Sequence, residues 1–232
     1  MEDHYHSDMK ARYDDLCARM EKAAAKRGRR FQDIRFVAVS KKVHAQRIIE
    51  AAGLGITDFG ENYFQEAREK ITTLEGKLTW HFIGHLQKNK AHQVLELFNL
   101  IQSVDSVDLA ERLAKRAQER GKAAEVLLQV HYGDEATKHG FLTDEVMPSM
   151  ERISCLTHLK VKGLMTIPPF LEDPEENRRY FRDMALLSEK LRGFPGYEAV
   201  HLSMGMTDDF EIAIEEGSTM VRIGRALFGE RI

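Results

Sequence analysis

Lys41 directly follows the apolar run Phe36-Val37-Ala38-Val39-Ser40. Such a run reads as a short buried strand, and an ammonium at its end either reaches solvent or has chemistry to perform. Partial desolvation favours the neutral amine, which attacks a carbonyl carbon to form a Schiff base. Lys42 alternates to the other face of the strand or enters the loop, so Lys41 is the candidate. Lys90 and Lys138 lie in helical or loop-like stretches and read as solvated. Far along the chain, Ser203-Met204-Gly205 and Gly224 close two further strand-like runs, each before a turn. A hydroxyl, free N–H groups and a glycine that lets backbone approach suit a phosphate. A tight turn that needs glycine accounts for the same residues equally well.

These groups need elements to hold them. Strand-like runs fall at 36–40, 58–62, 80–84, 100–105, 126–131, 161–167, 199–205 and 220–224. Helical patterns lie between them, near 44–53, 62–75, 88–98, 106–121, 143–157, 174–192 and 208–217. Alternation of this kind argues for parallel strands, and eight is the number that closes a (β/α)8 TIM barrel. An open doubly wound sheet is the alternative, but no G-x-G-x-x-G follows the first run. Met9, Tyr13, Leu16, Met20 and Ala24 mark an amphipathic helix over 8–28, so residues 1–30 form a helical segment before the first strand, placed to cap one end. No linker interrupts 1–232, so a single α/β barrel domain is expected.

In such a barrel the working groups gather at the C-terminal strand ends. Read in order, those ends offer Lys41, Asn62, His85, Ser103 with Asp105, His131, Met165-Thr166, Ser203-Met204-Gly205 and Arg222-Ile223-Gly224. The loops after strands seven and eight are the usual phosphate cradle of this fold. A lysine across the mouth from a phosphate narrows the ligand to a phosphorylated carbonyl compound. Two classes fit: pyridoxal 5'-phosphate (PLP), and a sugar phosphate in a lysine-dependent aldolase.

Composition excludes other classes. The net charge is -3, with charged residues at 31% and both signs interspersed, so no nucleic-acid partner is expected. Two distant cysteines, Cys17 and Cys155, form no framework and suit a reducing cytoplasmic location. The polar start Met1-Glu2-Asp3-His4 offers no apolar stretch for a signal sequence, so none is expected, and no run approaches a membrane span. His81 and His85 are four apart, too far for one ion in a strand-and-loop segment, so no metal is expected.

Seven motifs then appear in one order. They are Val37-Ala38-Val39-Ser40-Lys41, Phe59-Gly60-Glu61-Asn62-Tyr63-x-Gln65-Glu66, and Trp80-His81-Phe82-Ile83-Gly84-x-Leu86-Gln87-x-Asn89-Lys90. Ser103-Val104-Asp105-Ser106, Gly163-Leu164-Met165-Thr166-Ile167-Pro168, Leu202-Ser203-Met204-Gly205-Met206-Thr207-x-Asp209-Phe210 and Val221-Arg222-Ile223-Gly224-x-x-Leu227-Phe228-Gly229 complete the set. From about residue 30 onward the chain resembles the pyridoxal phosphate homeostasis protein family. The resemblance implies a barrel similar to the N-terminal domain of alanine racemase, with PLP held as a Schiff base on Lys41. It implies phosphate binding by Ser203 and the backbone around Gly224, Arg222 facing the pyridine nitrogen, and Asn62 beside the ring. Thr166, Met204, Gly205 and Arg225 join these as candidate cofactor-binding residues. The chain departs from the family pattern at Lys42-Val43-His44, at Arg225 where a small hydroxyl residue is usual, and at His131-Tyr132-Gly133.

An arginine cannot accept the proton that makes pyridinium a strong electron sink. Alanine racemase tolerates such an arginine but takes a tyrosine base from a second domain of a partner subunit. This chain ends at Ile232, soon after the eighth strand, and Tyr63 and Tyr132 read as rim packing. The expectation is therefore a PLP carrier in intracellular PLP homeostasis and amino-acid balance, without robust turnover and with no catalytic residue assigned. A PLP-dependent amino-acid racemase-like enzyme is the alternative. PLP-requiring apo-enzymes are the expected partners, and the protein is expected to be monomeric.

Overall fold

In the computed structural model, which describes residues 2–74, 76–132 and 139–229, strand and helix alternate along the chain. Gly133 and Lys138 lie outside the described residues. Helix α1 (Glu2–Ala25) leads into β1 (Arg35–Val39) and α2 (Ala45–Gly53), then β2 (Asp58–Glu61), α3 (Phe64–Thr73), β3 (Thr79–Phe82) and α4 (Ala91–Leu97). There follow β4 (Leu100–Val104), α5 (Val107–Glu119), β5 (Ala124–His131), the short β6 (Phe141–Leu142), α6 (Val146–Ile153) and β7 (Leu159–Thr166). The chain continues through α7 (Arg178–Leu191), β8 (Tyr197–Ser203), α8 (Phe210–Glu215), β9 (Met220–Ile223) and α9 (Arg225–Phe228).

Strand β1 pairs in parallel with both β2 and β9, and β4 pairs with β5, so eight parallel strands close into a barrel. This is the (β/α)8 barrel the alternation predicts. The ninth strand, β6, hangs on the outer edge of β5 through Val130↔Phe141 and His131↔Leu142. It is too short to carry a periodic signal, as is the four-residue α9.

Alternation within each strand sorts side chains into two layers. Outward residues build a large core against the helices. Val37, Leu100, Leu127, Met165 and Met220 form a separate apolar cluster in the lumen. Helix α1 buries Met9, Leu16, Met20, Ala23 and Ala24. It docks on the flank rather than over an end, because Arg19 reaches Glu211 of α8 through two bonds of 3.0 and 2.9 Å and lies over the Phe210 ring. Among the described residues, no helix is long and apolar enough to cross a membrane.

Candidate functional site at the barrel mouth

Strand β1 ends in a tight turn. Val43 N–H donates to the Ser40 carbonyl at 3.0 Å, and Lys42 takes a left-handed φ of 58°. Lys41 occupies the corner of this turn, half-buried, while Lys42 is exposed. The turn is clamped from behind. Lys70, on the buried face of α3, sends its ammonium to the Ser40 carbonyl at 2.6 Å, to Glu61 at 2.8 Å and to Glu66 at 2.6 Å. Ser40 Oγ–H donates to the same Glu61 oxygen at 2.7 Å, and Lys42 N–H donates to Glu66. Burial holds the Glu61 carboxyl above its ordinary range, against the pull of Lys70 and Ser40. Lys70 escapes the strand-end reading because it lies on a helix. Its signal was Ala67 and Lys70 three apart on one face, with Glu66 one turn back.

On β9, the strand paired directly with β1 and not across the mouth from it, stands Arg222, 3% exposed. Its Nη2–H donates to the Thr166 carbonyl at 2.8 Å and its Nη1–H to Ser203 Oγ at 2.6 Å. Burial lowers its pKa to about 10, opposed by Asp209. The Ser203 hydroxyl donates to Gln102 Oε1 at 2.7 Å, so its proton is turned inward rather than offered to a phosphate. The Thr166 hydroxyl is likewise spent on the Val130 carbonyl at 2.8 Å. Gln102 continues inward to His81 Nδ1 at 2.9 Å, and His81 Nε2 meets Asp58 Oδ1 at 2.9 Å. Gln102 and His81 were legible only as polar interruptions of apolar strands, with no sign that they touch.

The two expected turns are adjacent. Met204 is buried, and Arg222 N–H donates to the Gly205 carbonyl at 3.0 Å. Gly205 has φ 93°, and a Cβ there would fall 2.6 Å from that of Ala213. The packing of α8 therefore demands this glycine whether or not an anion binds. Gly224 starts α9. The Arg225 side chain is exposed and donates to both carboxylate oxygens of Asp208 at 3.0 Å, tying the two turns together instead of facing the mouth.

On the β2–β5 side, Asn62 and His131 line a cavity of about 260 Å³ with Ile83, Gly84, Gln129 and Ile167. Asn62 Oδ1 and His131 Nε2 are buried without a protein partner. Buried polar atoms of this kind are rare unless something else satisfies them. His85 does gain companions: it bonds Asp105 at 3.2 Å and stacks on His139 with centroids 3.5 Å apart and planes 11° from parallel. An ion in the plane of one ring would lie about 3.5 Å from the plane of the other, beyond a metal–nitrogen bond of about 2.1 Å. With Asp105 the two rings nevertheless bring three possible ligand atoms within 4.8 Å of one another, a grouping that the His81 and His85 spacing did not announce. Tyr132 is buried against Tyr180, and burial raises its pKa, so it holds its proton at neutral pH. Tyr63 is exposed at the rim.

A closed parallel barrel, with a lysine on its first exit turn and a lumen-anchored arginine on its last strand, defines a class. It is the alanine racemase N-terminal domain type, whose sequence pattern matches residues 17–232. Within that class, several relatives that match this chain along most of its length share one name. A pyridoxal phosphate homeostasis protein of Aquifex aeolicus is 41% identical over 221 residues, covering 95% of this chain and 97% of that one. The mouse protein of the same name is 42% identical over 231 residues, covering 92% and 83%. The structure of PipY from Synechococcus elongatus with PLP bound superimposes with a TM-score of 0.83 at 33% identity, over 95% of this chain and all of that one. The chain belongs to the pyridoxal phosphate homeostasis protein family.

Proposed function

We propose that the protein binds PLP at the barrel mouth and serves intracellular PLP homeostasis and amino-acid balance. The observation that carries this reading is a half-buried lysine on a clamped turn at the same end of the barrel as two buried, unpartnered polar atoms, Asn62 Oδ1 and His131 Nε2. The PLP-bound PipY structure, a relative at 33% identity, supports it. When bound, PLP supplies an aldehyde that condenses with a primary amine. Lys41 is the amine assigned to it, and the Ser40–Val43 turn orients that side chain. Arg222 would face the ring nitrogen and Asn62 would lie beside the ring, while Thr166 holds Arg222 through its carbonyl. The phosphate would be held by backbone at Ser203, Met204, Gly205, Gly224 and Arg225. The Ser203 proton and the Arg225 guanidinium are engaged elsewhere.

Binding without robust turnover is part of the proposal. A guanidinium keeps its proton and cannot take one from the ring, and the Tyr132 phenol is buried and protonated. We further propose that residues 1–232 act as one cytoplasmic, monomeric domain and pass PLP to PLP-requiring apo-enzymes.

The test is spectroscopic. Purified protein given PLP should show a visible band that borohydride removes, with the reduced adduct's mass located on Lys41. Lys41→Ala should abolish both. A band that survives Lys41→Ala unchanged overturns the assignment, and Lys41-dependent racemisation of amino acids would overturn the carrier reading.

A further inference from the structure

A chain of side-chain hydrogen bonds crosses the barrel from the site to the opposite end. Arg222 of β9 donates to Ser203 of β8, Ser203 to Gln102 of β4, Gln102 to His81 of β3, and His81 to Asp58 of β2, at 2.6, 2.7, 2.9 and 2.9 Å. Ser203, Gln102 and His81 have no exposed surface. The far carboxylate is held by Arg35 at 3.1 Å and Thr57 at 2.8 Å.

With His81 kept neutral by burial, the two ends of this chain fix the direction of every bond between them. A guanidinium only donates and a carboxylate only accepts. Ser203 Oγ accepts a hydrogen bond from an Arg222 N–H and sends its own proton to Gln102 Oε1. Gln102 accepts through Oε1, so its amide N–H groups face His81 Nδ1 and the Met220 sulfur, the latter at 3.1 Å. His81 accepts at Nδ1, so its single proton sits on Nε2 and points at Asp58. Hydroxyl rotor, amide orientation and tautomer thus all run one way, and such aligned bonds reinforce one another.

We infer that Gln102 and His81 are positioning residues for Arg222, fixing its guanidinium at the mouth through a one-way chain anchored on Asp58. Among the described residues the Arg222 side chain hydrogen-bonds no carboxylate; its acceptors are a hydroxyl and a carbonyl. A hydroxyl holds a guanidinium in one orientation only if its own rotor is fixed, and Gln102 fixes it. For what Arg222 faces, the inference rests on the proposed function. The positioning itself does not.

The test therefore has readouts with and without PLP. In the PLP-free protein, nitrogen-15 NMR should find His81 as the Nε2–H tautomer and distinct, slowly exchanging Nη signals for Arg222. In Gln102→Leu the Arg222 Nη signals should average, PLP affinity should fall about tenfold, and the pH midpoint of the visible band should move. In Gln102→Glu the acceptor for Ser203 survives but the donor to His81 is lost. Arg222 signals should stay distinct, His81 should carry both ring protons at neutral pH, and PLP should be kept within about twofold. This variant also serves if Gln102→Leu fails to fold. Ile101→Val, on the same strand but facing outward, should cost stability without moving any of these readouts.

An Nδ1–H tautomer in the wild type overturns the inference. So does Gln102→Leu with unchanged Arg222 signals. If the wild type gives no band with PLP, the proposed function falls, and the NMR readouts alone decide the chain. If the wild type binds and Gln102→Leu binds identically, the function stands and the positioning role falls.

Discussion

At the scale of single residues, the mouth is held by side chains that do not face it. Lys70 matters most on the Lys41 side. Glu61 is fully buried, and one of its oxygens has no partner even with Lys70 present. Removing the ammonium strands that carboxylate in the protein interior. Lys70→Met should therefore cost about 3–5 kcal/mol, the usual penalty for breaking a buried ion pair from one side. Urea denaturation measures it, and adding Glu61→Gln should return a good part of the loss. A double variant no more stable than Lys70→Met would show that the clamp is not an ion pair. Lys41 itself was legible in the sequence because it stands at the end of an apolar run. Lys70 and Gln102 were not, because their significance lies in what they touch across the fold, and one strand or helix read alone does not contain that.

At the scale of elements, the alternation of runs predicted every barrel strand to within a few residues. It failed where the segment is too short for a period, as in β6 and α9, and where a strand departs from regular geometry. Strand β7 is the instructive case. Its register shifts against both β5 and β8 near Gly163. Gly163 has φ 149°, and a Cβ there would lie 1.7 Å from the His201 carbonyl oxygen. The glycine of the sequence motif thus marks the point where β7 takes one extra residue against β5 and β8 takes two extra against β7, which brings Met165 opposite Ser203. Gly163→Ala should destabilise the protein by about 2 kcal/mol or more, through both strain and overlap with fixed backbone. A thermal melt within a degree of wild type would contradict that account.

At the scale of the whole molecule, closure joins residues from the two ends of the chain, and no pattern along the sequence announces which strands will meet. One consequence is a polar floor beneath the apolar lumen layer, where His81 and His201 come under the influence of Asp58 and Arg35. Burial lowers both imidazoles. Asp58 partly offsets this for His81, whereas His201, with Arg35 adding to the effect, is pushed down to about 4. A histidine whose folded pKa is depressed stabilises the fold fully above its unfolded value of about 6.5, and that contribution is lost as pH falls below it. Melting temperature should be flat above about pH 7 and decline from there toward pH 4, and His201→Gln should flatten the decline. A profile level down to pH 4.5 would contradict the assignment.

The two sides of the mouth are fastened to different layers. The lysine turn is tied to a helix of the outer ring, and the arginine to the barrel's interior. An engineer seeking a looser or tighter grip on a ligand would therefore find two separate handles. Work on α3 should retune one side, work on the lumen the other, and neither need disturb its counterpart.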